Sequence, residues 1–475
     1  MRSTRRRFLA STAASAVGLA GLAGCSAPDG STNGNGTSTA DGSSDVTPVP
    51  DPNYDLSVTH DVESWDGYDP DWSPPTDPPT LDVEIETVIE GLEIPWDLAF
   101  APDGDLFVTE RVGRISRYDS STLETVATAD VIDHADSIAP GEEGGWWEAG
   151  SEGGLMGLAV HPNYPDVPLV YAIYTYEGEA ATPGGDPYVN RLSYFDVSAD
   201  DPGETETVVI DPIPGNEIIH NGSRIAFGPA NHLWVTTGDA GSMTDVGTDD
   251  PLPQDPSSLA GKVLRLEPDG SAPDGNPDIG GDPRVYTYGH RNPQGIDFLP
   301  DGTPIVTEHG PANRDEVMVL RPGENHGWGS EDERARDGET YPGTDYARPV
   351  VNTGPDEGWA PPGCVFYTGD GVPSWSNRLL VGGLASQRVN IVTVYPADGE
   401  PASAATGGTR YDADWMNEDY DAVAHHTLAD ELGRIRHLEQ GPNGDVYAIT
   451  SNRDGRADDG FPKEGDDRLV RITPA

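Results

Sequence analysis

Leu98-Ala-Phe-Ala-Pro-Asp-Gly-Asp-Leu-Phe-Val108 is the stretch that decides the fold. Apolar residues run into a Pro-Asp-Gly turn and resume beyond it with β-favouring side chains. The glycine supplies the positive φ that a tight hairpin turn needs. The arrangement recurs. Leu158-Ala-Val-His-Pro-Asn163 leads to Val170-Tyr-Ala-Ile173, and Ile225-Ala-Phe-Gly-Pro229 leads to Leu233-Trp-Val235. Ile296-Asp-Phe-Leu-Pro-Asp-Gly-Thr-Pro-Ile-Val306 and Leu438-Glu-Gln-Gly-Pro-Asn-Gly-Asp-Val-Tyr-Ala448 are further copies, and Pro373-Ser-Trp-Ser-Asn-Arg-Leu-Leu-Val381 is a weaker one. The turn prolines Pro102, Pro162, Pro229, Pro300, Pro373 and Pro442 stand 60, 67, 71, 73 and 69 residues apart. Hairpins at a near-constant interval mark a repeat architecture, and this interval accommodates a four-stranded blade with its loops. The expectation is an all-β, six-bladed β-propeller of four-stranded antiparallel blades over residues 81–475. Two tandem sandwiches would not repeat one motif six times, and no long amphipathic helix competes.

Ahead of the repeats the chain reads as an export signal and a tether. Thr4-Arg5-Arg6-Arg7-Phe8-Leu9 looks like a twin-arginine signal, and the apolar stretch that follows it to Ala23 is too short for a comfortable membrane span. Leu22-Ala23-Gly24-Cys25 resembles a lipoprotein box, with Cys25 as the acylated first residue; ordinary cleavage near Gly24 is the alternative. Residues 1–24 are therefore expected to be a signal peptide and 25–80 a lipid-anchored flexible tether, rich in Ser, Thr, Gly, Asn, Asp and Pro. Trp65 and Trp72 suggest that its distal end docks onto the folded part. The protein is expected on the outer face of the cell membrane, touching lipid only through this anchor.

Charge narrows the partners. Against 82 Asp plus Glu stand 28 Lys plus Arg, a formal net charge of −54, with lysine only at Lys262 and Lys463. Nucleic-acid binding depends on clustered cations and is excluded on this balance, as is peripheral binding to anionic lipid. Ten Trp, 18 Tyr and regular apolar runs oppose disorder. A folded core under a solvated carboxylate surface, kept soluble where concentrated salt screens self-repulsion, is a halophile's pattern. With Cys25 lipidated, Cys364 has no disulfide partner and reads as a small buried apolar residue.

Four polar segments border the hairpins. His220 in Ile219-His-Asn-Gly-Ser-Arg224 precedes the third hairpin, and Thr237-Gly-Asp-Ala-Gly241 closes it, so Asp239 can return beside His220 as the carboxylate a general base needs. Tyr288-Gly-His-Arg-Asn-Pro-Gln-Gly295 precedes the fourth, and Arg291 there can stabilise oxyanion charge. Thr307-Glu-His-Gly-Pro311 closes that hairpin; a Gly-Pro step presents carbonyls of the kind Ca2+ takes as ligands. Gly433-Arg-Ile-Arg436 precedes the sixth, with both guanidinium groups on one side of a strand, suited either to an anionic ligand or to neighbouring carboxylates.

These blocks, with Pro95-Trp-Asp97 and Gly153-Gly-Leu-Met-Gly157, resemble in order and spacing the soluble glucose/sorbosone dehydrogenases, propellers that use pyrroloquinoline quinone (PQQ). The resemblance runs from about Leu92 to Ile472 and points to a haloarchaeal-type member. It implies oxidation of an aldose at its C1 hydroxyl to the lactone, with electrons passed on to a membrane or diffusible acceptor. His220 would take the hydroxyl proton while hydride passes to the quinone, Asp239 would orient His220, and Arg291 would stabilise the reduced quinone's oxygen with Asn292 beside it. Arg434 and Arg436 would hold the PQQ carboxylates. Gly310 and Pro311 would give carbonyls to the Ca2+ that bridges to PQQ, and Glu316 and His326 would be backbone ligands of a structural calcium. Two positions depart from the pattern. Glu152 replaces the family's usual Gln beside substrate and cofactor, where a carboxylate would either repel the PQQ anion or stay protonated if buried. Leu384-Ala385 falls where some members place a cofactor-binding Lys, and Arg388 is the nearby candidate to compensate. Asn221-Gly-Ser223 matches a glycosylation sequon that should go unused if His220 is catalytic. Two other readings compete: a non-catalytic cell-surface propeller binding carbohydrate or a protein, favoured by Glu152 and Ala385, and a metal-dependent lactonase, which would need side-chain carboxylates at the channel.

Overall fold

The computed structural model describes residues 54–129, 151–179, 181, 187–216, 218–242, 251–330, 338, 341–457 and 460–475. The signal peptide and Cys25 lie outside the described residues.

All six hairpins form where the turn chemistry places them. Strands β2 (Pro95–Phe100) and β3 (Leu106–Glu110) pair Leu98 with Val108 and Phe100 with Leu106. Between them Ala101 N donates to Asp105 O at 2.8 Å and Gly104 N to Ala101 O at 2.9 Å. Gly104 has φ +96°, and the Asp103 carboxylate accepts from Asp105 N at 3.1 Å. The Gly302 and Gly444 turns repeat these bonds, and Asn231 (φ +57°) takes the glycine's place in the third copy. Asn is the side chain that best tolerates this left-handed region.

Each hairpin supplies the first two strands of a blade. The first blade adds β4 (Arg114–Tyr118) and β5 (Leu123–Thr128). The second comprises β6 (Leu155–Val160), β7 (Leu169–Glu177), β8 (Tyr188–Asp196) and β9 (Thr207–Pro214). The third comprises β10 (Gly222–Phe227), β11 (Leu233–Thr237), β12 (Lys262–Leu266) and β13 (Val285–Tyr288). The fourth comprises β14 (Pro293–Phe298), β15 (Pro304–Glu308), β16 (Glu316–Val319) and β17 (Val351–Asn352). The fifth, with β18 (Cys364–Tyr367), β19 (Arg378–Val381), β20 (Val389–Pro396) and β22 (Tyr420–Thr427), carries an extra edge strand, β21 (Thr409–Tyr411). The sixth joins β23 (Ile435–Gln440), β24 (Val446–Thr450) and β25 (Arg468–Pro474) to β1 (Val83–Glu90), so the first strand of the chain completes the last blade.

First strands touch one another around the axis in the cycle β2, β6, β10, β14, β18, β23. Apolar layers between neighbouring blades hold the ring: Tyr171, Ile173, Val235 and Leu264 are fully buried between the second and third. Each such side chain contributes about 1.5–3 kcal/mol on removal from water.

Residues 54–80, which the sequence reads as the end of a tether, lie against the blades. Tyr54 OH donates to Asp196 at 2.8 Å and Trp375 Nε1 to Thr80 O at 2.9 Å. Trp65 packs on the cluster containing Trp234 and Phe298, and Trp72 meets Phe366 edge-on at 5.3 Å. At the turn end of the channel a cavity of 800 Å3, covered by residues 64–67, is lined by Asp97, Arg224, Asp297, His437 and Glu439. His220, Arg291 and Arg434, just ahead of the first strands whose far ends line this cavity, do not line it.

Candidate active site

First strands enter the ring through irregular pairing. Register shifts fall between Pro95 and Asp97, Gly222 and Ile225, Pro293 and Gly295, and Ile435 and His437. Such bulges re-aim side chains at the rim of a sheet. The polar blocks sit immediately before these strands and immediately after their partners, so loops of the second, third, fourth and sixth blades share one channel mouth.

His220 lies ahead of β10, mostly buried, with φ +60°. That conformation costs a non-glycine residue about 1–2 kcal/mol. Its N–H donates to Glu152 Oε2 at 3.0 Å and its carbonyl accepts from Ala240 N at 3.1 Å, which fixes it. The loop after β11 approaches so closely that a Cβ on Gly238 would lie 2.0 Å from His220 O. Asp239, wholly buried, thereby places Oδ1 2.7 Å from His220 Nδ1. Gly241 N donates to the same oxygen at 2.8 Å, and Trp328 Nε1 donates to Oδ2 at 2.8 Å. Two donors besides the imidazole hold the carboxylate's orientation, and with Nδ1 on Asp239 the proton-accepting atom of His220 is Nε2.

Glu152, just ahead of β6, is a charged carboxylate. Burial works to raise its pKa, but Arg456, with Nη1 2.8 Å from Oε1, and the hydrogen bond from His220 N hold it well below the carboxylate range. Its other oxygen accepts from His220 N and, at 3.3 Å, from Asn292 Nδ2. The charge that seemed set to repel an anion thus has its own cation, and the protonated alternative does not arise. Asn292 also accepts from Gly222 N at 3.0 Å, so this amide ties the second, third and fourth blades.

Arg291 reaches the mouth on the fourth blade. Its N–H donates to Glu308 at 2.8 Å, its Nη1 to His309 O at 3.0 Å, and its guanidinium lies 5.4 Å from the Trp328 ring centre. On the sixth blade Arg434 places Nε 3.0 Å and Nη2 2.8 Å from Asp454 Oδ2, and Arg436 Nη2 is 3.3 Å from the same oxygen. Burial pushes the Asp454 pKa up, but the two arginines outweigh it and hold the carboxyl below its usual range. Asp454 offsets one guanidinium of the pair. Arg111 is buried on the carbonyls of Gly153 and Ser151, both at 2.7 Å, and its charge couples to Asp454, Arg456 and Glu152. Arg111, Arg291, Arg434, Arg436 and Arg456 thus gather five guanidinium groups at a mouth that also holds Glu152, Asp239, Glu308 and Asp454, in a chain of net charge −54. Arg388 does not join them; it is bound to Glu357 and Asn390. At the Leu384 position Arg434 Nη1 donates to the Leu384 carbonyl at 3.2 Å.

Arg436 Nε and His309 Nε2 are buried with no hydrogen-bond partner among the described residues. Burial lowers the His309 pKa to about 3, so its ring is neutral. Buried polar atoms are rarely left unmatched. A ligand with carbonyl and carboxylate oxygens fits these arginines and the two unmatched atoms.

The proposed metal ligands fall in two places. Gly310 follows β15 beside His309; its N–H donates to Asp315 at 3.0 Å, and a Cβ there would lie 1.9 Å from Arg314 O. Ala312, Asn313 and Arg314 all have positive φ, which folds the Gly310-Pro311 loop back on itself. Glu316 and His326 stand behind the mouth. The Glu316 side chain accepts from Tyr341 OH at 2.9 Å and Asn352 Nδ2 at 3.0 Å. His326 stacks on His290, with ring centres 4.3 Å apart. Asn221 of the sequon is buried, its Nδ2 donating to Asn216 O at 2.8 Å, so a glycan has no access in the folded protein. Cys364 is buried, and burial raises its thiol pKa far above the usual range.

The fold and the site together are those of a six-bladed propeller with a buried His–Asp dyad beside an arginine-rich mouth. The chain belongs to the glucose/sorbosone dehydrogenase family, whose model, described as Glucose / Sorbosone dehydrogenase, matches residues 92–459. It is 27% identical over 392 residues to the aldose sugar dehydrogenase YliI of Escherichia coli, covering 78% of this chain and 91% of that protein. It is 29% identical over 263 residues to quinoprotein glucose dehydrogenase B of Acinetobacter calcoaceticus, covering 51% and 52%. Among solved structures, the PQQ-bound aldose sugar dehydrogenase of Streptomyces coelicolor superposes with a TM-score of 0.60 at 30% identity, covering 83% of this chain and 99% of that one. By family the protein is an oxidoreductase.

Proposed function

We propose that the protein is a PQQ- and Ca2+-dependent aldose dehydrogenase that converts the C1 hydroxyl of a sugar to the lactone, with His220 as the general base. The observation that carries this reading is the His220–Asp239–Trp328 chain opening beside the Arg434/Arg436 pair. Arg434, Arg436 and Arg291 would hold PQQ, and the Gly310 and Pro311 carbonyls would hold Ca2+. Bound there, PQQ supplies the two-electron acceptor for the hydride of C1.

The chain's own residues do the rest. Asp239 keeps the proton of His220 on Nδ1, so Nε2 faces the substrate hydroxyl as a base. When the hydroxyl proton arrives on Nε2, the buried Asp239 carboxylate stabilises the imidazolium at 2.7 Å. Arg291, fixed through Glu308 and His309, supplies a cation for oxyanion charge. His309, neutral, adds a polar contact without adding charge. Export by the twin-arginine route, acylation at Cys25 and working at high salt complete the proposal.

The test is reconstitution of the metal-stripped chain with PQQ and Ca2+ in concentrated salt, followed by dye reduction over an aldose panel. Turnover should appear with the parent, and His220→Ala should abolish it while leaving cofactor absorption intact. No reduction with any aldose, despite demonstrable PQQ binding, would overturn the proposal.

A further inference from the structure

The segment that crosses the third blade ahead of β1 meets a cluster that the mouth chemistry does not use. We propose that His60, His232 and Glu267 bind a divalent transition-metal ion of the zinc type, which pins this segment to the third blade. One ligand atom from each lies within 4.8 Å of the others. His60 Nε2 is 2.8 Å from Glu267 Oε2, His232 Nε2 is 3.8 Å from Glu267 Oε1, and the two imidazoles lie parallel with centres 4.1 Å apart.

Hydrogen-bond polarity makes the case. His60 Nδ1 lies 2.8 Å from the carbonyl of Ala230. A carbonyl only accepts, so Nδ1 carries a hydrogen. In a neutral ring Nε2 then presents a lone pair to a carboxylate oxygen, a repulsive contact unless a cation stands between them. That cation is either a proton on His60 or a metal ion. A second imidazole beside the same carboxylate favours the metal. Two imidazoles and a carboxylate form a three-ligand set that zinc accepts, with a fourth position for water. Ca2+ needs six to eight oxygens and is not suited to this set. Anchoring of a ligating histidine through its other nitrogen to a backbone carbonyl is the usual outer support of such sites. His60 is more than a third exposed, so an ion reaches the cluster from solvent.

The site has a structural consequence. His232 lies in the β10–β11 turn, and Asn231 beside it donates from Nδ2 to Thr59 O at 3.0 Å. An ion would add a coordinate clamp where the turn already grips the chain, a few residues before Trp65 and the cover of the cavity.

The experiment titrates the full chain, stripped with chelator, with Co2+ and then Zn2+. One equivalent of Co2+ should develop visible d–d absorption of a four-coordinate N/O site, which Zn2+ then bleaches. His60→Ala and His232→Ala should each weaken binding at least as much as loss of an outer-shell partner does, about 10–100-fold. His60 lies outside every blade, so its variant tests the site without altering the ring. Zn2+ should also slow proteolytic cleavage within residues 54–80 of the parent and not of His232→Ala. Absence of Co2+ uptake, or uptake that both variants leave unchanged, would overturn the proposal and leave His60–Glu267 as an imidazolium salt bridge.

Discussion

Asp239→Asn tests the dyad most sharply, because the surroundings of this side chain dictate what an amide must do. Both carboxylate oxygens receive hydrogen bonds: His220 Nδ1 at 2.7 Å and Gly241 N at 2.8 Å meet Oδ1, and Trp328 Nε1 at 2.8 Å meets Oδ2. An asparagine has one oxygen. With that oxygen toward Trp328, its NH2 confronts Gly241 N–H and forces His220 to accept at Nδ1, which moves the proton to Nε2 and removes the base. With it toward His220, the NH2 confronts Trp328 N–H, a conflict of about 1–3 kcal/mol. In both orientations the imidazolium loses its counter-ion. A hydrogen bond to a charged group is worth about 1.5–3 kcal/mol, so lost charge alone slows turnover about ten- to 150-fold. Adding the inactive tautomer takes the expected fall in kcat to about 10^2–10^4. The assay is dye-coupled initial rate on reconstituted protein, with cofactor absorption as the control and KM expected within about threefold of the parent. A variant whose kcat stays within about threefold of the parent refutes the reasoning.

The Glu152–Arg456 pair predicts a reversal. Arg456→Ala strips the carboxylate of its cation and should weaken PQQ binding about tenfold, and adding Glu152→Gln should restore it to within about threefold; absorbance titration reads both, and a double variant no better than Arg456→Ala contradicts the pairing. Asp297 predicts a pH effect on stability. Burial raises its carboxyl to about 7, although Phe366 N donates to it. The folded pKa exceeds the unfolded one, so this group's contribution is complete below about pH 4 and is lost as pH rises through 7. Asp297→Asn should therefore gain Tm over the parent progressively from pH 5 to 8. The ceiling is about 4 kcal/mol, reduced by solvent screening because Asp297 lines the cavity; a Tm difference constant with pH would exclude the effect.

The turns were legible because their chemistry is local. A Pro-Asp-Gly run states the hairpin, and six of them state the ring, whichever blades they later touch. His220, Asp239, Arg291, Arg434 and Arg436 could be singled out for the same reason, as polar residues flanking those hairpins. Arg456 and Asp454 could not. They sit in Arg453-Asp-Gly-Arg456 after β24, which reads as an ordinary charged turn, and only closure of the ring, which sets loops of the sixth and second blades at one mouth, brings Arg456 to Glu152. Arg388 shows the converse, since nearness in sequence to the Leu384 position suggested a substitute cation that the fold commits to Glu357. Trp328 reaches Asp239 across 89 positions, a distance that no periodicity records. The extra strand β21 was hidden likewise, for it depends on surfaces the rest of the chain must first build, whereas Trp65 and Trp72 marked the docking of the segment before β1.

The pairing of β1 with β25 sets Val83 opposite Pro474 and Glu90 opposite Arg468. Contact order in this seam is close to the largest the chain allows, and long-range β pairing is slow. A nascent propeller cannot seal until β25 has emerged from the ribosome; until then β1 has no partner. Truncation by a few residues at the C-terminus should therefore cost as much as deleting β1, since either leaves an unpaired edge open to intermolecular association. Ring closure in this sense waits on the seam strand β25, however early the other blades form.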